Sequence, residues 1–276
     1  MFDGAVSENE ILLSVLLIAI IGIPHGAIDH ILFLKKTNKS KVFFYSFYLL
    51  LILLSIFAWF YIPVFSLSVF LIISAYHFGQ SQIQHYTKLP KLSSRLISLF
   101  WGISIISGFV IINYDQVYEL MSNQVDFNVF TSIFDFTIYV FLFIVSSLVL
   151  IITSIYNRTK FNIRKETLYF LLIIGTFTMQ SVFIGFSLFF VFNHSLVVLQ
   201  SEHSFLSRIK KNFNLTLFIK DLIPFTLLSL LGVGLLYFMS EIKLIDLSLP
   251  LIVLISIASL TLPHAVVMEV FYQNRK

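Results

Sequence analysis

The sequence contains no cysteine, and charged residues make up only 12% of it. Without thiols the chain cannot form disulfides, thiolate nucleophiles, iron–sulfur clusters or cysteine-ligated zinc sites. The low share of charge accompanies 58% hydrophobic residues and a mean hydropathy of +0.94, values outside the usual range of soluble domains. This composition predicts an integral membrane protein whose main solvent is lipid.

Long apolar runs with short polar connections predict an all-α, polytopic membrane protein formed by a single transmembrane domain over residues 1–276. A bilayer core of roughly 30 Å needs about 20 apolar residues per crossing. The stretch 167–201 would span roughly 50 Å as one straight helix, so a break near Gln180 to Gly185 is expected. Hydropathy then predicts about nine helices, within a range of seven to nine, near residues 11–34, 42–61, 64–84, 96–113, 133–155, 167–182, 184–201, 220–240 and 246–270.

Lysine and arginine are concentrated in alternate loops, after the first, third, fifth and seventh predicted helices. Because cytoplasmic loops carry an excess of these residues, the pattern predicts an inner-membrane protein with its N-terminus outside and its C-terminus in the cytoplasm. The same clustering explains the net charge of +4 without a nucleic-acid partner. The clusters are Lys35, Lys36, Lys39 and Lys41; Lys88, Lys91 and Arg95; Arg158, Lys160, Arg164 and Lys165; and Arg208, Lys210 and Lys211.

Histidines are the most informative polar residues inside the apolar runs. His25, His77, His194 and His264 lie on odd-numbered predicted helices, each about 10 to 14 residues before a basic cluster, which predicts one shared depth in the membrane. A lone membrane histidine is commonly a hydrogen-bonded group between helices. Neutral imidazole is also a common ligand for iron, zinc and copper, and four at one depth favour a metal site.

Other polar residues near these histidines are candidates for supporting groups or alternative ligands. Asp29 lies four residues after His25, on the same helical face, where it can orient an imidazole or pair with a neighbouring helix. His30 is closer to the membrane interface and is a candidate outer group or ligand. Gln80 and Glu269 are further candidates of the same kind.

Some neighbouring residues have simpler interpretations. His85 and His203 fall at helix ends beside polar residues, which is typical of solvated groups. Gly26 directly follows His25 and Gly79 lies two residues after His77, and each glycine allows close approach of a neighbouring backbone. Pro24 and Pro263 directly precede candidate ligands, where they can kink the helix.

Four segments together resemble a known family. They are Gly22–Asp29 (GIPHGAID), Ala75–Gln80 (AYHFGQ), Asn193–Ser195 (NHS) and Leu262–His264 (LPH), in this order and spacing. The chain resembles the bacterial and archaeal Brp/Blh proteins, which are membrane-embedded β-carotene 15,15'-dioxygenases. Members of that family cleave β-carotene at its central double bond into retinal, often for a rhodopsin. The resemblance extends from the first predicted helix to the ninth.

The resemblance implies an Fe(II)-dependent oxygenase that uses O2 on β-carotene or a related carotenoid, with a functional link to a rhodopsin. It implies that His25, His77 and His194 are iron ligands and catalytic residues, and the spacing from His25 adds Asp29 as a further catalytic candidate. The family carries a second histidine four residues after the one in the His-Ser motif, whereas this sequence has Val198 there. We expect His264, at matching depth, to complete the iron site, and His30 is the rival ligand.

The composition agrees with an apolar polyene partner taken from the lipid bilayer, since 32 Phe and 12 Tyr can wall a groove for it. No organic cofactor is expected, because Walker and dinucleotide-binding fingerprints are missing. A diiron hydroxylase would need more histidines and carboxylates, and a zinc hydrolase would need a motif such as His-Glu-x-x-His. A membrane carotenoid- or lipid-binding or transport protein with a non-catalytic histidine cluster remains an alternative.

Overall fold

The computed structural model describes residues 7–122 and 135–273, and over these residues the chain is helical without any strand. Short π-helical and 3-10 turns interrupt two of the long apolar helices. The α-helices, in chain order, are α1 (Glu8–Leu17), α2 (Asp29–Lys36), α3 (Lys41–Tyr61), α4 (Pro63–Ile83), α5 (Lys91–Ile112), α6 (Tyr114–Ser122), α7 (Phe136–Tyr156), α8 (Ile163–Met179), α9 (Val182–Leu188), α10 (Leu196–Ile209), α11 (Leu215–Glu241) and α12 (Leu249–Gln273).

Eight helical segments among the described residues are long and apolar enough to cross a membrane. They are Glu8–Lys36, Lys41–Tyr61, Pro63–Ile83, Lys91–Ile112, Phe136–Tyr156, Val182–Ile209, Leu215–Glu241 and Leu249–Tyr272. The protein is therefore an all-α polytopic membrane protein, as its composition predicts. The remaining predicted segment corresponds to α8, which has 17 residues.

The break predicted within 167–201 is present between α8 and α9. Gln180 and Ser181 both have extended backbone, with ψ angles of 161° and 162°, so the helix cannot continue through them. The side-chain amide oxygen of Gln116 accepts a hydrogen bond of 2.8 Å from the backbone N–H of Val182, in the first turn of α9. This bond satisfies one of the N–H groups that a helix start leaves without an internal partner.

Three candidate ligands lie at irregular points of their helices. His25 is in a 3-10 turn, Ile23–Gly26, that follows a π-helical turn, Ile18–Gly22. Pro24 stands at the start of the 3-10 turn, where its missing N–H is tolerated. His194 is in the π-helical segment Phe189–Ser195, and His264 follows a proline inside α12. Such turns are frequent at functional sites because they redirect single side chains.

The described chain divides into two compact units. The first contains the residues up to Ser14 together with Leu71–His194, and in it α5 packs against α7 and α8. The second contains Val15–Phe70 and the residues from Ser195 onward, and in it α12 packs against α2, α3 and α11. A single transmembrane domain over residues 1–276 stays a prediction.

Within the first unit, α4 and α5 are in direct backbone contact. A Cβ added at Gly79 of α4 would lie 1.7 Å from the carbonyl oxygen of Ser98 on α5. A Cβ added at Gly102 of α5 would lie 1.7 Å from the carbonyl oxygen of Ala75 on α4. Each helix therefore supplies a glycine at the place where the other helix approaches, which confirms the close approach expected at Gly79.

Candidate functional site

In the second unit, His25 and His264 form a buried pair of imidazoles. Their ring centroids are 4.6 Å apart, with the planes nearly perpendicular at 84°. The Nδ1 of His25 donates to the carbonyl oxygen of Gly22 in the preceding helical turn. The Nδ1 of His264 lies 2.9 Å from each carboxylate oxygen of Asp29, and the Tyr48 hydroxyl donates to Oδ2 of the same carboxylate at 2.9 Å.

Glycine at position 26 makes room for side chains, whereas the sequence had led us to expect a neighbouring backbone there. A Cβ there would approach the Nδ1 of His264 to 3.3 Å and Oδ2 of Asp29 to 3.7 Å. The first distance is tighter than ordinary side-chain contacts, so a methyl group at position 26 would press on the imidazole that Asp29 holds.

In the first unit, His77 and His194 form a second buried pair. Their ring centroids are also 4.6 Å apart, with an interplanar angle of 78°. The Oγ of Ser81 lies 3.0 Å from Nδ1 of His194 and 2.8 Å from the carbonyl oxygen of Phe78. The single hydroxyl proton of Ser81 can be donated to only one of these two acceptors.

The hydrogen bonds determine the tautomer of two of these histidines. A carbonyl oxygen and a carboxylate can only accept, so Nδ1 is the protonated nitrogen in His25 and His264. Neutral imidazole with Nδ1 protonated carries its lone pair on Nε2. Metal-binding histidines have this arrangement, in which the second nitrogen bonds to a carboxylate, a carbonyl or another acceptor. The donor set therefore suits a metal that takes imidazole ligands, such as iron.

The comparison with known families agrees with this chemistry. Residues 16–272 match the family model described as Beta-carotene 15,15'-dioxygenase. The chain belongs to this family. No curated protein and no solved structure matches the chain. The resemblance of the chain to the Brp/Blh family of membrane β-carotene dioxygenases is thereby confirmed.

The resemblance described for the sequence implies a histidine where this chain has Val198, and the structure shows what surrounds that position. Val198 has no exposed surface and belongs to an apolar cluster that includes Ile28, Leu32, Leu206 and Met268. A larger polar side chain there would have to displace close-packed apolar atoms. In this member of the family, the position contributes to the core of the second unit.

The other residues singled out in the sequence have distinct surroundings. His30 is partly buried, and its ring lies 4.5 Å from that of Phe225. Gln80 is buried, and its Nε2 lies 3.5 Å from the hydroxyl of Tyr76. Glu269 is partly buried on α12. Convergence of the four ligand candidates on one metal stays a prediction.

His85 belongs to a polar cluster beyond the end of α4. Glu166, in the first turn of α8, accepts hydrogen bonds of 2.8 Å from both Gln82 and Tyr86, and Nε2 of His85 lies 3.8 Å from it. Burial lowers the pKa of His85, although the Glu166 carboxylate opposes this change. Burial and the bond to Glu166 raise the pKa of Tyr86. The hydrogen bonds of Glu166 connect the start of α8 to the end of α4 and to the residues that follow it.

His203 is partly buried, and its ring packs against two aromatic side chains. Its ring centroid lies 5.2 Å from that of Phe218 and 5.8 Å from that of Phe213. These contacts join α10 to α11 within the second unit. They give His203 a packing role at the end of its helix.

Three functional candidates were missed in the sequence. Ser81 lies four residues after His77 on the same helical face, a spacing that could have revealed it. Glu202 lies four residues after Val198, is fully buried, and neither of its oxygens has a hydrogen-bond partner among the described residues. Tyr48, on α3, meets Asp29 only through tertiary packing, so no local pattern could have revealed it.

Proposed function

We propose that the chain is a non-haem iron dioxygenase that cleaves the central double bond of β-carotene, or of a related carotenoid, with O2 to give retinal. In this reaction the double bond breaks and each of its carbons receives one oxygen atom, so both atoms of O2 are consumed. Family membership supports the substrate class and the reaction type. The observation that carries the proposal is the shared tautomer of two buried imidazoles, those of His25 and His264, each with Nδ1 occupied as a donor.

The proposed ligands are His25, His77, His194 and His264. This assignment rests on their shared depth in the sequence and on the pair geometry inside each unit. When bound, ferrous iron with an open coordination position would supply the activation of O2. Asp29 would hold His264 in its tautomer and orientation and would stabilise the charge of the bound metal.

Residues around the pairs would keep the site dry. The imidazoles of all four proposed ligands are at most 9% exposed. Phe78 and Phe190 flank His194 with ring centroids 4.8 and 5.6 Å away. Apolar walls of this kind exclude water and so protect a reactive intermediate from hydrolysis.

Expression in β-carotene-producing cells tests the proposal. Cells carrying the chain should accumulate retinal, and the purified protein should contain iron close to one equivalent. The His194→Ala variant should lose both, whereas His203→Ala, on the same membrane span, should retain both. Absence of retinal together with absence of metal would instead support a carotenoid- or lipid-binding or transport protein, and zinc would indicate a hydrolase.

We also propose that the protein lies in the inner membrane with its N-terminus outside and its C-terminus in the cytoplasm. The alternation of basic loops supports this orientation. The chain has no native cysteine, so single cysteines introduced next to Lys36, Lys88, Arg158 and Lys211 can be labelled selectively. All four should be protected from a membrane-impermeant reagent in intact cells. Labelling of any one alongside protection of another would contradict the orientation.

The proposed product gives the chain a functional link to a rhodopsin, because retinal is the chromophore of that class. Co-expression with a microbial opsin in β-carotene-producing cells should yield a coloured pigment without added retinal. Pigment that forms only when retinal is supplied would contradict this link.

A further inference from the structure

The second unit contains an elongated apolar cavity beside the Asp29–His264 pair. Its volume is about 480 Å³, within the range of small-molecule sites. It is lined by α3, α11 and α12, and also by Gly26, Ala27 and Asp29. Because Asp29 bonds to His264 at 2.9 Å, the cavity wall includes the hydrogen-bond partner of a proposed iron ligand.

The dimensions of the cavity match one half of a long polyene. On α3 the lining extends from Phe44 to Ile56, which corresponds to about 18 Å at a rise of 1.5 Å per residue. On α11 it extends from Phe225 to Leu236, which is about 17 Å on the same scale. A space this long and narrow suits an extended, retinal-sized chain rather than a compact ligand.

The lining is largely apolar, and two of its serines already donate their hydroxyl protons. The hydroxyl of Ser256 donates to the carbonyl of Ile252 at 2.7 Å, and that of Ser259 donates to Ser55 at 3.2 Å. A ring hydroxyl could donate to the oxygens of these serines, but the leucine, isoleucine, valine and phenylalanine side chains that form most of the wall offer it no partner. Burying a hydroxyl without a compensating bond is unfavourable, so the cavity should favour an unsubstituted ring.

Part of the cavity wall is formed by three aromatic rings in contact, those of His30, Tyr45 and Phe225. The ring centroid of Phe225 lies 4.5 Å from that of His30 and 6.1 Å from that of Tyr45. Several other lining residues, Leu49, Leu228 and Leu235, are more than half exposed. In a membrane-spanning segment such residues face lipid, so a ligand can enter sideways from the bilayer without crossing water.

We propose that this cavity, which we call the α3–α11 cavity, binds one ring-bearing half of the carotenoid and admits it laterally from the membrane. The proposal rests on the proposed function, because it assumes that the substrate is a carotenoid. It assigns His30 to the wall of the substrate cavity. It also predicts that carotenoids with unsubstituted rings bind more tightly than those with a hydroxyl on each ring.

Two glycines of α11 provide a matched pair of variants. Gly232 lines the cavity, and a Cβ added there would meet no heavy atom within 4 Å among the described residues. Gly234 has the same open surroundings in the described structure, but two residues turn the helix by about 200°, so its side chain would point away from the cavity. Gly232→Phe should therefore fill the cavity, whereas Gly234→Phe should add the same side chain to the lipid-facing surface. Ser229→Phe, one turn before Gly232 on the cavity wall, is a second filling variant.

Carotenoid binding is measured on the full chain, treated with chelator to remove metal and reconstituted in phospholipid nanodiscs. The readout is the circular dichroism that a symmetric polyene acquires in the visible region when a chiral site holds it. Gly232→Phe and Ser229→Phe should weaken binding of β-carotene at least about tenfold, and Gly234→Phe should stay within about twofold. A dihydroxylated carotenoid should bind the unaltered chain about ten- to a hundredfold more weakly than β-carotene.

Each outcome supports or overturns the proposal. Unchanged binding in both filling variants, or an equal loss in Gly234→Phe, would overturn it, as would a wild-type cavity that retains only phospholipid. Retinal formation that survives Gly232→Phe would also overturn it while leaving the proposed function intact. Specific binding by the wild type without any cleavage would leave the cavity assignment standing and would overturn the proposed function.

Discussion

Substitution of Asp29 by asparagine should weaken iron binding through His264. Each carboxylate oxygen of Asp29 lies 2.9 Å from Nδ1 of His264, and Asp29 is only 2% exposed. Hydrogen bonds to a charged acceptor contribute about 1.5–3 kcal/mol, and the charge also favours the metal-bound form of the ring. Loss of such an orienting partner lowers metal affinity about 10- to 100-fold, which corresponds to about 1.4–2.7 kcal/mol. We expect Asp29→Asn to show a loss of this size.

Tyr48→Phe is the matched control for this experiment. It removes the 2.9 Å hydrogen bond from the Tyr48 hydroxyl but leaves the carboxylate in contact with His264. Both substitutions should lower the free energy of unfolding, so stability alone cannot separate their roles. Iron affinity can separate the two roles, because Tyr48→Phe should lower the iron affinity by clearly less than tenfold.

Anaerobic titration with Fe(II) against a chromogenic chelator gives the dissociation constant of each variant in detergent. Thermal unfolding of the metal-free proteins gives the accompanying loss of stability. Wild-type iron affinity in Asp29→Asn, in a protein where His264→Ala abolishes binding, would refute the orienting role. If Tyr48→Phe lost as much iron affinity as Asp29→Asn, the effect would be due to destabilisation of the second unit and not to the orientation of His264.

Four further substitutions test other parts of the structure. His264→Ala should remove most of the bound metal and the retinal-forming activity, whereas His30→Ala should keep the metal. Elemental analysis measures the metal content of both variants, and the reverse ranking would make His30 the ligand. Val198→His should destabilise the protein by about 1–3 kcal/mol in thermal unfolding, because it overpacks a fully buried apolar position; a stable variant with tighter iron binding would contradict this. Glu202→Met should raise stability by about 1–3 kcal/mol, since it removes a buried carboxyl without a hydrogen-bond partner among the described residues; a loss would reveal a partner for it.

The fold class and the break between α8 and α9 could be predicted because they depend on local properties. Hydropathy reflects the cost of backbone and charge in lipid, and the length of 167–201 exceeds one membrane crossing. Helix ends were less accurate, as the break begins at Gln180 while the predicted helix ran to residue 182. Such shifts arise because helix ends depend on single capping bonds.

The site was predicted only in part, and the missing part is tertiary. The histidines could be found because imidazole is costly inside an apolar run. The two hydrogen-bond partners of Asp29 could not be predicted, because His264 lies 235 residues away in the sequence and Tyr48 lies on a different helix. The π-helical turns before His25 and around His194 also escaped prediction, since an inserted residue changes the helical face that periodicity would assign.

The reciprocal glycine contact has a consequence for protein engineering. Because Gly79 and Gly102 each sit against the backbone of the other helix, the spacing of α4 and α5 leaves no room for even one methyl group. His77 and Ser81 flank Gly79 on α4, so their position depends on α5 as much as on their own helix. A chimera that exchanges α4 between relatives should therefore carry α5 with it, from Pro63 to Ile112, if the transplanted histidine is to keep its place.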